Sequence, residues 1–157
     1  MADFDIAFKK TMGFEDGYVN DKDDDGRETK YGISKKQYKS LNIRELTLNE
    51  VKNIYKRDYW NKIKGNNIRS QDVANNLFDC AVHCGVPIAS RLLQKVLGVK
   101  QDGIIGPITL GSLNKSEPDV VVSKFKNERV KYYIDICKRK KSQRKFFFGW
   151  VTRAMEV

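Results

Sequence analysis

The sequence contains no run of eighteen apolar residues, so no segment reads as a membrane-spanning helix. Its opening residues, M-A-D-F-D-I-A-F-K-K, lack the basic stretch and apolar core of a secretory leader. Synthesis in the cytoplasm without a signal peptide is therefore expected, with any export depending on other machinery. The three cysteines, Cys80, Cys84 and Cys137, are odd in number and too sparse for a disulfide scaffold, and they read as reduced thiols. Cys80, His83 and Cys84 crowd one helical segment, but no second ligand pair at zinc spacing accompanies them, so no metal and no cofactor is expected. Zinc-finger spacing, an aromatic RNA-binding strand motif and a helix-turn-helix pattern are all missing, which argues against nucleic acid as a partner. Neither an internal repeat nor a low-complexity linker divides the chain.

What is present suffices for a folded core. The 157 residues are 40% hydrophobic and 11% aromatic, enough for one domain or two tightly fused halves, and a monomer is expected. The formal net charge of +10 favours an anionic partner, whether a membrane surface or an acidic wall polymer. The densest basic run, 138–141 with Arg144 and Lys145, precedes Phe146, Phe147, Trp150 and Val151. Those aromatics suit a terminal helix packed on the core; the alternative is an amphipathic segment that touches an anionic cell-envelope surface.

The pattern is mainly α-helical. Phe4, Phe8 and Met12 recur at four-residue steps and predict a first helix over 4–15. Residues 16–30 are too polar and too rich in Asp and Gly for a core element, and predict an exposed loop or short hairpin. Tyr31, Ile33 and Tyr38 return the chain to the core. T-L-N-E at 47–50 is a capping-box signature and predicts a helix over 48–60. Ser70 is suited to cap a third helix over 71–83, closed by Gly85 and Pro87. Beyond a composition change near 85–87, Pro107 opens a short helix through Leu113, and a long helix starts near Pro118.

Two places carry candidate chemistry. Eleven residues at roughly 100° each return Glu15 to about the azimuth of Phe4, on the apolar stripe. A carboxyl group there is partly desolvated, which raises its pKa toward the value a general acid for glycosidic cleavage requires. The competing reading is a helix-end Glu paired with a nearby Lys. The loop that follows carries Asp21, Asp23, Asp25 and Gly26, the first half of a calcium loop, but Gly32 stands where the bidentate Glu is needed. On the third helix, Asn75, Asp79 and His83 fall on one polar line. This line either faces a groove, where it would bind sugar hydroxyls and N-acetyl groups, or is an ordinary solvated face.

E-D-G-Y-V-N-D-K-D-D-D-G-R-E-T-K-Y-G-I-S at 15–34 resembles the E-G-G-Y and T-x-Y-G-I motifs of the glycoside hydrolase 108 muramidases. R-D-Y-W at 57–60, F-D-C-A-V-H-C-G at 78–85 and L-Q-K-V-L-G-V-K-Q-D-G-I-I-G-P-I-T-L at 93–110 follow in the family's order, and F-F-F-G-W at 146–150 is similar to its closing element. The resemblance implies a lysozyme-like fold with a catalytic half at 1–85 and a peptidoglycan-binding-like half at 86–157. It implies hydrolysis of the β-1,4 bond between N-acetylmuramic acid and N-acetylglucosamine, with peptidoglycan as partner, Glu15 as the acid, and Tyr18 and Tyr31 beside the substrate. Asp16 departs from the family's usual glycine, and His83 from a common asparagine. By further similarity to phage-type lysozymes, Asp24 and Thr29 take the roles of charge stabiliser and water-orienting residue, with Asp21, Asp23 and Asp25 competing for the first. Such a protein reaches the wall after release by a holin or a secretion system. A lytic transglycosylase and a non-enzymatic wall-binding or secretion-assisting protein are the alternatives.

Overall fold

A computed structural model describes residues 1–13, 19–20 and 28–157, with backbone alone at 19, 20 and 28. Asp3 starts the first helix, α1 (Phe4–Met12): its Oδ1 accepts from the Asp5 and Ile6 amides at 2.8 and 3.1 Å. These are donors that a helix start leaves without partners. Phe4, Ala7 and Phe8 are buried, while Met12 is half-buried. The helix ends at Met12 with Gly13 as its cap, short of the expected 4–15, because glycine is a poor helix former. The periodicity that would carry Glu15 round to the azimuth of Phe4 therefore runs past the helix end, and Glu15 itself lies outside the described residues.

Part of the polar stretch at 16–30 forms strands. β1 (Val19–Asn20), β2 (Glu28–Lys30) and β3 (Ile33–Ser34) make an antiparallel sheet in that order, with Thr29 opposite both Val19 and Ser34. Tyr31 and Gly32 join β2 to β3 with φ of 51° and 74°. Positive φ at both central residues is the two-residue turn whose twist suits a hairpin.

The capping box is present: Thr47 Oγ1 accepts from the Glu50 amide, and Glu50 Oε2 accepts from the Thr47 amide at 2.8 Å. It opens α2 (Leu48–Tyr55), which is shorter than the expected 48–60. From Lys56 to Trp60 the backbone widens into a π turn, with the Asn61 amide reaching back to the Lys56 carbonyl at 2.9 Å. Trp60 ends fully buried, its indole N–H donating to Asn66 Oδ1 at 2.7 Å.

Ser70 caps α3 (Gln71–Cys84) by accepting from the Val73 amide. The next helix, α4 (Val86–Leu97), follows at once, where the sequence reading assigns no element. Gly85 and Pro87, read as terminators, serve here as a helix start: Gly85 turns the chain at φ 91°, and proline needs no amide donor in a first turn. The remaining helices are α5 (Pro107–Leu113), α6 (Pro118–Arg139) and α7 (Phe147–Glu156). The fold is thus a helical, lysozyme-like one with a small sheet after the first helix.

α3 is the axis of the molecule, packed against α1, α4 and α6. Phe78 on α3 meets Phe4, Trp60 and Tyr55 edge-on, at centroid distances of 5.8, 5.7 and 6.3 Å. The same core continues through Ala89, Leu93, Val121 and Phe125, so it crosses from the first half of the chain into the second. The terminal aromatics contribute less than expected: Phe146 and Phe148 are exposed, and Trp150 is half-buried. Ala154 is the buried residue of α7.

Gly65 packs against the face of the Trp60 indole, where a Cβ would overlap the ring atoms. That ring is locked in the aromatic cluster, so it cannot yield cheaply. Gly65→Ala is expected to lower stability by about 1–3 kcal/mol, read as a shift of the urea midpoint with unchanged slope.

Candidate active site

The end of α1, the β2–β3 turn and the start of α2 enclose a cleft of about 440 Å³. Its lining comprises Phe8, Lys9 and Met12 from α1, Tyr31 from the turn, and Leu48 and Lys52 from α2. Gly13 also borders it, two residues before Glu15 in the chain.

The turn is held from below. Tyr55, buried between Phe8 and Phe78, donates its hydroxyl to the Tyr31 carbonyl at 2.8 Å. Lys30 Nζ donates to the Arg44 and Leu46 carbonyls at 3.0 and 2.9 Å, tying β2 to the segment before α2. Tyr31 thus keeps a left-handed backbone that side chains larger than Asn rarely adopt, and such strain persists only where the surroundings impose it. Among the described lining residues the charged side chains are Lys9 and Lys52; Lys52 pairs with Asp5 at 2.6 Å, its ammonium 5.8 Å from the centre of the Phe8 ring. Lys9, Lys52 and the anchoring role of Tyr55, expected only as an apolar residue of the second helix, are not foreseen from the sequence. Only the helical periodicity that sets Lys9 beside Phe8, and Lys52 on the outer side of α2, hints at the first two.

The sequence-derived site residues separate into three groups. Glu15, Tyr18 and Asp24 lie outside the described residues, as does the calcium-like run at 21–26. Thr29 is half-buried in the middle strand, two residues from Tyr31, which lines the cleft. Asn75, Asp79 and His83 are elsewhere, and the first two lie on neither a groove nor a solvated face. Asn75 is buried with its Oδ1 accepting from Gln71 Nε2 at 2.8 Å. Asp79 is 0% exposed, so it meets neither solvent nor a sugar. Because α3 is covered on several sides, Asn75 and Asp79 are internal, whereas His83 is half-buried and lines a small cavity with Tyr133 and Trp150.

The partners of Asp79 come from the far end of the chain. Arg129 Nη2 on α6 donates to its Oδ2 at 2.6 Å, and Arg153 Nε on α7 donates to its Oδ1 at 3.0 Å. Arg129 Nε also donates to the Tyr133 hydroxyl at 2.6 Å, which lies 2.9 Å from His83 Nδ1. Burial works against the Arg129 charge, but Cys80 and Asp79 beside it outweigh that and raise its pKa. Burial likewise raises the Tyr133 hydroxyl, so it remains a neutral relay between the guanidinium and His83.

Residues 8–85 match the family model described as glycosyl hydrolase 108, and residues 88–155 match the one described as a predicted peptidoglycan domain. The chain belongs to the glycosyl hydrolase 108 family. Its fold is similar to the structure of Brucella abortus SagA, at 29% identity and a TM-score of 0.82, over 97% of this chain and 89% of that one. No curated protein matches it. This glycosyl hydrolase 108 protein is accordingly a glycoside hydrolase with peptidoglycan as its partner. Among the described residues, no three His, Cys, Asp or Glu side chains converge as a metal site would require.

Removing the Asp79 carboxylate leaves Arg129 buried without its counter-charge. Asp79→Ala is expected to cost about 3–5 kcal/mol, measured by urea unfolding. At the cleft, Tyr31→Asn and Tyr31→Val both lose the ring, but only asparagine tolerates a left-handed backbone. The Asn variant should be the more stable by about 1–2 kcal/mol in the same assay.

Proposed function

We propose that the protein is an N-acetylmuramidase that hydrolyses the β-1,4 bond between N-acetylmuramic acid and N-acetylglucosamine, with Glu15 as the general acid. The observation that carries this reading is the glycosyl hydrolase 108 match over residues 8–85, which contain a cleft bordered by Gly13, two residues before Glu15. Glu15 protonates the glycosidic oxygen as its bond to the anomeric carbon breaks. Asp24 stabilises the oxocarbenium charge or activates the incoming water, and Thr29 orients that water.

The described lining suits this substrate. The Tyr31 ring, fixed by its pinned turn, offers an apolar face to a pyranose. Lys9 and Lys52, the latter held by Asp5, also line the cleft and would attract the carboxylates of a muramic acid and its stem peptide. Residues 86–157 hold the same polymer, which keeps the glycan near the cleft between cuts. An endolysin-like role follows, in which a protein made in the cytoplasm reaches the wall through a holin or a secretion system.

Purified cell walls should lose turbidity with the wild type, whereas Glu15→Gln should be slower by at least about a hundredfold. Equal rates for the two would remove Glu15 as the acid. Mass spectrometry of the released fragments should find reducing ends; 1,6-anhydro ends would assign a lytic transglycosylase instead. Binding to insoluble walls without any cutting would leave a non-enzymatic wall binder.

A further inference from the structure

The end of the chain gathers positive charge that no neighbouring carboxylate offsets. Six of the eight residues at 138–145 are basic, and no Asp or Glu occurs from 136 to 155. Lys138, Arg139, Lys140, Lys141, Arg144 and Lys145 are all exposed, and they run from the last turn of α6 through the 3₁₀ turn Lys141–Phe146. Arg139 Nε and Arg144 Nε donate to the Asp135 and Cys137 carbonyls at 3.2 and 3.4 Å. None of the six has a carboxylate partner among the described residues.

Apolar surface lies beside this charge. Phe148 is 82% exposed and Met155 56%, and their spacing of two helical turns sets them on one face of α7, whereas Ala154 is buried. The exposed Phe146 ring stacks on Trp150 at 6.0 Å, with Lys145 Nζ 4.9 Å from its centre. Trp150 rests in turn on Tyr133 of α6 at 5.4 Å, so this aromatic edge is held in place. Between the end of α6 and the start of α7, a groove of about 360 Å³ is lined by Ile134, Cys137 and Phe147 together with the exposed Lys138 and Arg144.

We propose that the end of α6, the 3₁₀ turn and α7 together dock on the surface of an anionic phospholipid bilayer. The basic side chains meet the headgroup phosphates, while Phe148 and Met155 enter the boundary between headgroups and acyl chains. The groove takes an apolar segment of one lipid between two cations. A helix of ten residues is about 15 Å long, half the hydrocarbon thickness, and no helix among the described residues is long and apolar enough to cross a membrane. The unit therefore lies on the bilayer. An acidic wall polymer or a nucleic acid duplex would also attract the cations, but both present hydrated surfaces to Phe148 and Met155, and that pair decides in favour of lipid. The patch shares no lining residue with the cleft at Tyr31, so it stands or falls independently of Glu15.

Sedimentation of the full chain with lipid vesicles tests the surface. Binding to phosphatidylcholine vesicles with about 30% phosphatidylglycerol should exceed binding to phosphatidylcholine alone by at least about fiftyfold, and should weaken about tenfold or more between roughly 0.05 M and 0.5 M salt. Lys140→Gln, Lys141→Gln and Lys145→Gln combined should lower the affinity about a hundredfold, and Phe148→Ser about fivefold with the salt dependence kept. All four side chains are exposed, and an unchanged urea midpoint verifies the fold of each variant. In Phe148→Trp, lipids brominated in their acyl chains should quench the emission beyond the quenching of the wild type, which reports insertion. Absent binding, equal binding to neutral and anionic vesicles, or adsorption without that extra quenching would overturn the proposal. So would binding to duplex DNA or to purified walls that the triple variant loses while its vesicle binding persists.

Discussion

The structure depends on the carboxylate of Asp79. It sits in the middle of α3, the helix around which the others pack, and both of its oxygens are taken by guanidinium groups from α6 and α7. A charge at 0% exposure is tolerable only when paired and hydrogen-bonded, because its desolvation costs several kcal/mol. Apolar packing alone would let α7 slide, since most of its aromatic side chains are half-buried or exposed. Arg153 Nε, donating to both Asp79 oxygens at 3.0 and 3.2 Å, ties α7 to α3. The interaction therefore specifies how the end of the chain closes on its centre more than it adds net stability.

α3 organises the catalytic half by a different means. Its Phe78 anchors a cluster of rings whose members come from α1, α2 and the π turn, and Tyr55 in that cluster reaches out to the Tyr31 carbonyl. A sheet of two- and three-residue strands has little stability of its own. Held by Tyr55 and by Lys30, it becomes a fixed wall of the cleft. The strain at Tyr31 is thus supported, through Tyr55 and Phe78, by the same helix that carries Asp79.

Local features were legible in the sequence and distant ones were not. The Thr47–Glu50 capping box, the Ser70 cap and the Pro107 and Pro118 helix starts each depend on a few adjacent residues, and they formed where expected. α4 escaped notice because Gly85 and Pro87 stop one helix and start another by the same backbone chemistry. The length of α2 was overestimated because apolar periodicity cannot tell a π turn from another α turn when Trp60 stays buried in both. The family motifs made the catalytic half recognisable, yet the pinning of Tyr31 by Tyr55 joins residues 24 apart, beyond the reach of any spacing rule.

Glu15 and Asp79 show most clearly where such reasoning turns. Both are single carboxylates that stand among apolar residues in the sequence. What separates an acid from a structural anion is the company of a permanent cation. Arg129 and Arg153 lie 50 and 74 residues beyond Asp79, and their guanidinium groups occupy both of its oxygens. Helical periodicity sees only the near neighbours, so it offered a groove or a solvated face for Asp79 and could not offer an internal ion cluster.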